Sequence, residues 1–242
     1  MMNDKKIKIK KFNDFLKTIG KCDKCLYNHN CPKSDHSLIN FYKDILFAKN
    51  IPSIWTDWYN HLDAKIMIIG QDWGPFIDMQ KLNREYIKRK TMDNWQRLIE
   101  AENSETKKRL TNFITISSNG KIDNLDEFFI TNAIMCARKG ANYRGNNINL
   151  KASTLACSKY LAMQIDIVNP EIILTLGYYP LLSLSKIFGF EIPSSLTSCI
   201  DKMPVIKVAN RTIIPLYHPV AQIKKERQLE QYTRIWEHIV TK

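Results

Sequence analysis

Four short apolar runs rich in β-branched residues punctuate the middle and C-terminal parts of the chain. They are Ile66-Met67-Ile68-Ile69, Phe128-Phe129-Ile130-Thr131, Ile172-Ile173-Leu174-Thr175-Leu176 and Thr212-Ile213-Ile214-Pro215-Leu216. Apolar residues fill successive rather than alternate positions, so both faces of each run need cover, as in the buried strands of a parallel sheet. Between the runs the spacing becomes helical. It predicts helices over 94–102, 153–168, 179–188 and 225–240. The second carries Leu161, Ile165 and Val168 on one face, with Pro170 just beyond as a stop. The last carries Leu229, Tyr232, Trp236 and Ile239 or Val240. The segment 106–126, which contains Asn119-Gly120, reads as an insertion or loop-rich stretch. Strands alternating with helices predict an α/β fold: a single three-layer α/β/α domain with a central, mainly parallel four-stranded sheet. No linker divides the chain, so the expected domain runs over 1–242, with 1–63 as a polar, cysteine-bearing, partly helical segment packed on it.

Composition adds a partner to this picture. A chain of 242 residues, 44% of them hydrophobic, can bury a sizeable core without a disulfide scaffold. Lys and Arg number 36 against 24 Asp and Glu, a net charge of +12. That excess points to a polyanion, nucleic acid first and an anionic membrane surface second, against the bland alternative of a generally Lys-rich composition. Residues 1–11 are basic and lack the apolar core of a secretory signal, and no apolar stretch is long enough to span a bilayer. The expected compartment is therefore the cytoplasm, and the expected state a monomer. There the six cysteines, Cys22, Cys25, Cys31, Cys136, Cys157 and Cys199, should be thiols, so a cluster among them suggests a metal before a disulfide.

Three of the four strand candidates run directly into a polar motif. The first ends in Gly70-Gln71-Asp72-Trp73-Gly74-Pro75-Phe76, the second in Thr131-Asn132-Ala133 and the fourth in Tyr217-His218-Pro219. In open α/β sheets ligands bind outside the carboxyl ends of the strands. Parallel order would bring Asp72, Asn132 and His218 to one edge: a carboxylate, an amide and an imidazole. Taken singly, each is more simply a turn former, cap or structural residue. Their joint placement on three strand ends favours a functional reading.

These residues carry a resemblance to the uracil-DNA glycosylase superfamily. Gly70-Gln71-Asp72 resembles the opening of the first motif in members that begin it Gly-Gln-Asp, and His218-Pro219 resembles the His-Pro of the last motif. Other features are similar to the iron–sulfur, family 4-like branch. Ile130-Thr131-Asn132-Ala133-Ile134-Met135-Cys136 is similar to its Ile-Thr-Asn-Val-Val-Lys-Cys segment. Ala156-Cys157, then Gln164, then Asn169-Pro170-Glu171-Ile172-Ile173-Leu174-Thr175-Leu176-Gly177 is similar to its Ala-Cys helix leading into a strand and Leu-Gly. The resemblance runs from Cys22 to about Arg227.

What it implies is a monofunctional DNA glycosylase that uses water to cleave the N-glycosidic bond of uracil or a related pyrimidine, leaving an abasic site. The target base would be flipped out of the duplex. Asp72 would position the water and stabilise positive charge on the sugar, and His218 would meet the negative charge developing at O2. Asn132 matches N3–H and O4 of uracil, with the backbone at Gln71 and Asp72 lining the O2 side. Tyr86 or Phe76 would stack on the base. Ile223 is the implied minor-groove wedge, with Lys224, Lys225, Arg227, Arg138, Lys139 and Arg144 as phosphate contacts. Cys22, Cys25, Cys136 and Cys157 supply four thiolates, which suit either a [4Fe–4S] cluster or zinc; the branch resembled carries the former. Cys31 is an alternate ligand or a spare thiol, and Cys199 a free thiol in a polar loop. Trp73-Gly74 departs from the Pro-Tyr that follows Gly-Gln-Asp elsewhere in the superfamily, where the Tyr blocks the thymine methyl. Gly74 removes that wall, and Trp73 replaces it or stacks on something larger, so a C5-modified, bulky pyrimidine in foreign DNA is the alternative substrate. A catalytically silent DNA-binding module is the second alternative, although simple binding requires neither Asp72 nor His218.

Overall fold

The computed structural model describes residues 2–23, 38–43, 58–74, 105–138 and 150–239. In chain order these form α1 (Met2–Gly20), β1 (Leu38–Ile39), a single 3-10 turn (Phe41–Lys43), β2 (Ile66–Gly70) and α2 (Glu105–Ser117). There follow β3 (Phe128–Asn132), β4 (Ala137–Arg138), α3 (Leu150–Val168), β5 (Ile172–Leu176), α4 (Tyr178–Phe188) and α5 (Leu196–Lys202). The last elements are β6 (Ile206–Val208), β7 (Arg211–Leu216) and α6 (Lys225–Ile239). The segment 94–102 lies outside the described residues.

All four apolar runs are strands of one sheet, and they are mutually parallel in the order β3-β2-β5-β7. The sheet has five strands rather than four, because β6 adds to the β7 edge, antiparallel. This short strand buries Ile206, exposes Lys207 and half-buries Val208, and it turns back through Ala209 and Asn210, both at positive φ. Three residues carry too little pattern to stand out from a loop. A separate two-stranded pairing joins β1 to β4, with Leu38 opposite Arg138 and Ile39 opposite Ala137.

Successive strand residues point to opposite faces, and both faces are covered. Met67, Ile69, Phe129, Ile173 and Ile213 pack with Phe12, Phe15, Leu16 and Ile19 of α1 and with residues of α3 and α4. Ile66, Ile68, Phe128, Ile130, Leu174 and Ile214 pack with Leu110, Phe113 and Ile114 of α2 and with Tyr232 and Ile235 of α6. This is the three-layer α/β/α arrangement.

The segment 106–126 departs from the sequence expectation, since most of it is the helix α2. Leu110, Phe113, Ile114 and Ser117 recur at helical spacing and are buried. Phe113 stacks on Tyr232 at 5.0 Å, and the indole N–H of Trp236 donates to Ser117 Oγ at 2.7 Å, which joins α2 to α6. Asn119 and Gly120, at φ 54° and 74°, end the helix rather than sit inside a loop. Among the described residues no helix is long and apolar enough to cross a membrane.

Candidate active site

The carboxyl ends of β2, β3, β5 and β7 lie along one edge, and the backbone keeps them in register beyond the strands. Gly70 is opposite Asn132 in the ladder. The next N–H groups continue the pairing: Ala133 donates to Gly70 O at 2.8 Å and Ile134 to Gln71 O at 2.9 Å. Asn132 is buried at 8% exposure, and its amide lies directly over the α-carbon of Gly70, where a Cβ would collide with Oδ1. Glycine at 70 is therefore required by close approach.

Asp72 follows on the same edge, half-buried, and is held by its neighbours. Its Oδ1 accepts from the Gly74 N–H at 2.8 Å, and its Oδ2 accepts from Gln71 Nε2 at 2.9 Å. The first bond closes an Asx turn, and Gly74 completes it at φ 74°. The turn reading of Asp72 and the functional one are thus compatible, because the turn fixes the direction of the carboxylate.

His218 sits two residues past β7. Burial lowers its pKa below the usual histidine range, and the nearby Asp72 carboxylate partly opposes that shift. The two side chains, separated by 146 positions in sequence, therefore share one electrostatic environment. The Val220 N–H reaches Nδ1 at 3.4 Å. An accepting Nδ1 leaves the ring neutral with its proton on Nε2, a tautomer assigned here from the hydrogen bonding. Between Asp72 and His218 lies the end of β5, where Gly177 at φ 108° donates to Leu216 O at 2.9 Å.

Over residues 56–240 the sequence matches the family model of the uracil DNA glycosylase superfamily. The chain belongs to that superfamily. It is also 38% identical over 101 residues to the type-4 uracil-DNA glycosylase of Sulfurisphaera tokodaii. That similarity covers 40% of this chain and 43% of the relative, so it spans less than half of either.

Several other residues are placed differently from the sequence expectation for a superfamily member. Trp73 is turned inward: its ring meets Phe41 at 6.0 Å and Trp58 at 5.8 Å, both edge-on, with its indole N–H buried near the Tyr42 hydroxyl. It packs against the N-terminal aromatic residues Phe41 and Trp58. Ile223 is half-buried, and the exposed apolar residue of the loop is Val220, at 39% exposure. The signal that could have found it is its place immediately after His218-Pro219, at the apex of the turn closed by Ala221 N–H on His218 O. Lys224 and Lys225 are exposed. Arg227 is engaged with Asp201 at 2.8 Å and lies over the Tyr217 ring, which ties α6 to α5. Arg138 is in β4, while Phe76, Tyr86, Lys139 and Arg144 lie outside the described residues.

The cysteines converge from three directions. Cys22 follows α1 and is half-buried, Cys136 precedes β4 and Cys157 is on α3, the last two buried. Asn40, next to β1, fixes the approach of the first: its Nδ2 donates to Ile19 O at 2.8 Å and to Cys22 O at 2.7 Å. The β1–β4 pairing carries Cys136 to the same place. Tyr160 is pushed to a high pKa by burial, by a hydrogen bond with Cys22 and by the charges of Cys22, Cys157 and Cys136. Tyr42 is raised likewise by burial and by Cys136 and Cys157. Three thiols thus act on Tyr160 and two of them on Tyr42, although among the described residues no group of three His, Cys, Asp or Glu is compact enough to hold a metal ion. Cys25 and Cys31 lie outside the described residues. Cys199 is not in a polar loop: it is fully buried in α5, with its thiol on Pro193 O at 3.5 Å.

Proposed function

We propose that the chain is a monofunctional DNA glycosylase that hydrolyses the N-glycosidic bond of uracil or a related pyrimidine and leaves an abasic site. The observation that carries this reading is the pairing of a fixed carboxylate, Asp72, with a neutral imidazole, His218, on one sheet edge beside the buried Asn132 amide. Bond cleavage develops positive charge on the sugar and negative charge on the base. Asp72 holds a water for attack and stabilises the sugar cation. The Nε2–H of His218 stabilises charge at O2, which an already charged ring would do at the cost of a second buried cation. Asn132 presents one donor and one acceptor to the base; cytosine offers the reverse pattern and would leave buried groups unpaired.

Gly74 favours a second reading of the substrate. By resemblance it stands where a blocking side chain would exclude a C5 substituent, and Trp73 beside it packs on Phe41 and Trp58. A pyrimidine with a bulky C5 group is the alternative substrate of the same mechanism.

The chemistry of the cysteine set fits a resident metal group. Cys22, Cys136 and Cys157 share the neighbour Tyr160, Cys136 and Cys157 also lie near Tyr42, and Cys25 lies three positions from Cys22. These four would hold a [4Fe–4S] cluster, with structural zinc as the alternative. Bound there, such a group supplies a crosslink between α1, β4 and α3 and takes no part in the hydrolysis. It would join the first 63 residues and the sheet into one domain.

Gly70→Ala is expected to displace the Asn132 amide. Overpacking of this kind costs about 1–3 kcal/mol, and an ångström of misplacement slows a reaction by about 100-fold. Urea unfolding and single-turnover base release check the two parts. The deciding experiment for the function is incubation with oligonucleotides carrying uracil, thymine mismatches or C5-substituted cytosines, single- and double-stranded. Alkaline cleavage then reports abasic sites. Release of uracil alone supports the first substrate, and release of the bulky pyrimidine the second. Binding without release from any of them identifies a silent module and refutes the glycosylase reading.

A further inference from the structure

The carbonyl and N–H groups that hold the His218 loop are gripped by the helix that follows it. Gln228 and Gln231 lie three residues apart on α6, one face of the helix, and both are 2% exposed. Gln228 Nε2 donates to His218 O at 3.0 Å, and Gln231 Oε1 accepts from the Tyr217 N–H at 3.1 Å. Past Leu216 the backbone has left the β5–β7 ladder, so these groups need other partners. Burying a glutamine amide is unfavourable unless it is bonded. Gln231 even leaves its Nε2 buried and without a partner among the described residues. Its neighbours Tyr232 and Ile235 are core residues, and an apolar side chain at 231 would leave no such orphan.

We propose that Gln228 and Gln231 are positioning residues: from α6 they fix the backbone of Tyr217 and His218 so that the Val220 N–H reaches Nδ1 of His218 and the ring proton stays on Nε2. The proposal rests on the glycosylase reading for its kinetic consequence. The Ala221 N–H also donates to His218 O at 2.8 Å, which closes the turn but does not anchor it to the rest of the protein. Among the described residues, the two glutamines are the α6 side chains that hydrogen-bond the backbone of this turn, while Arg227 reaches it through the Tyr217 ring. Without them the backbone of Tyr217 and His218 can shift relative to Val220, and Nδ1 loses its donor.

The test uses the full chain labelled with ¹⁵N-histidine, with the His218 signals assigned by their loss in His218→Asn. In the wild type one ring nitrogen should report as protonated and the other as unprotonated over neutral pH. Gln228→Met and Gln231→Met keep length and burial but remove the hydrogen bond. Each is expected to average the two nitrogen shifts and to lower kcat about tenfold, with KM changed by less than about twofold. Gln231→Glu keeps the acceptor and should restore both readouts, a rescue that simple loss of packing does not predict. If Gln228→Met fails to fold, the Gln231 pair carries the same comparison. Unchanged His218 shifts in a folded Met variant overturn the proposal. Failure of the glycosylase reading looks different: the wild type then releases no base, while the nitrogen shifts still decide what the glutamines do.

Discussion

Asp72→Asn should fold and bind DNA as the wild type does, and should release base about 100- to 10,000-fold more slowly, the range for loss of a positioned base. The reason lies in the bonds of this side chain. An asparagine keeps an oxygen to accept from the Gly74 N–H, so the Asx turn survives. Its amide can still meet Gln71 once the Gln71 side chain turns its oxygen inward, because Gln71 has both a donor and an acceptor. What is lost is the negative charge that orients water and offsets the sugar cation. The Asp72 charge also raises the His218 pKa against the effect of burial, so its removal should deepen the neutrality of the ring. Single-turnover release, DNA binding and thermal unfolding are measured on the same preparation. A rate within a few-fold of wild type removes Asp72 from the mechanism and leaves the turn as its whole purpose.

If the four cysteines hold a [4Fe–4S] cluster as proposed, Cys157→Ala should abolish its visible absorption and markedly lower the thermal stability of the protein. Cys157 faces the core from α3, and a buried thiol that acted only as a small hydrophobe would cost about 1 kcal/mol on truncation. As a ligand it would instead leave three thiolates, and the tie between α1, β4 and α3 would be lost. Absorption spectra, iron and zinc content and melting curves of the variant and wild type separate these outcomes. Retained colour with a small stability loss excludes Cys157 as a ligand. A colourless, zinc-loaded wild type replaces iron with zinc at the same residues.

Much of the fold was legible because the four parallel strands are apolar on both faces. A run such as Ile66-Met67-Ile68-Ile69 has few folded solutions besides a buried parallel strand, and it pairs with β3 on one side and β5 on the other. The helix α2 was not legible. Its buried positions follow Lys107-Lys108-Arg109 and are interrupted by Thr111, Asn112 and Thr115, and its partner surface on α6 is about 120 residues away. Local pattern says little about a helix that is stabilised by packing on the sheet and on a remote helix. The same holds for β6, a three-residue edge that exists because β7 offers unpaired backbone.

The candidate site divides in the same way. Asp72, Asn132 and His218 could be picked from sequence because each directly follows a strand, and parallel pairing sends all strand ends to one edge. That shared edge is a property of backbone direction, which hydrophobic pattern encodes. The inward turn of Trp73, the engagement of Arg227 with Asp201, the exposure of Val220 rather than Ile223 and the clasp of Gln228 and Gln231 are decided by packing between distant segments. Side-chain direction depends on which neighbours fill the remaining space, and those neighbours are set by how the helices settle on the sheet. The sequence by itself therefore determined which residues reach the edge. Only the tertiary structure decided which of them face the chemistry, and which are held in place so that others can.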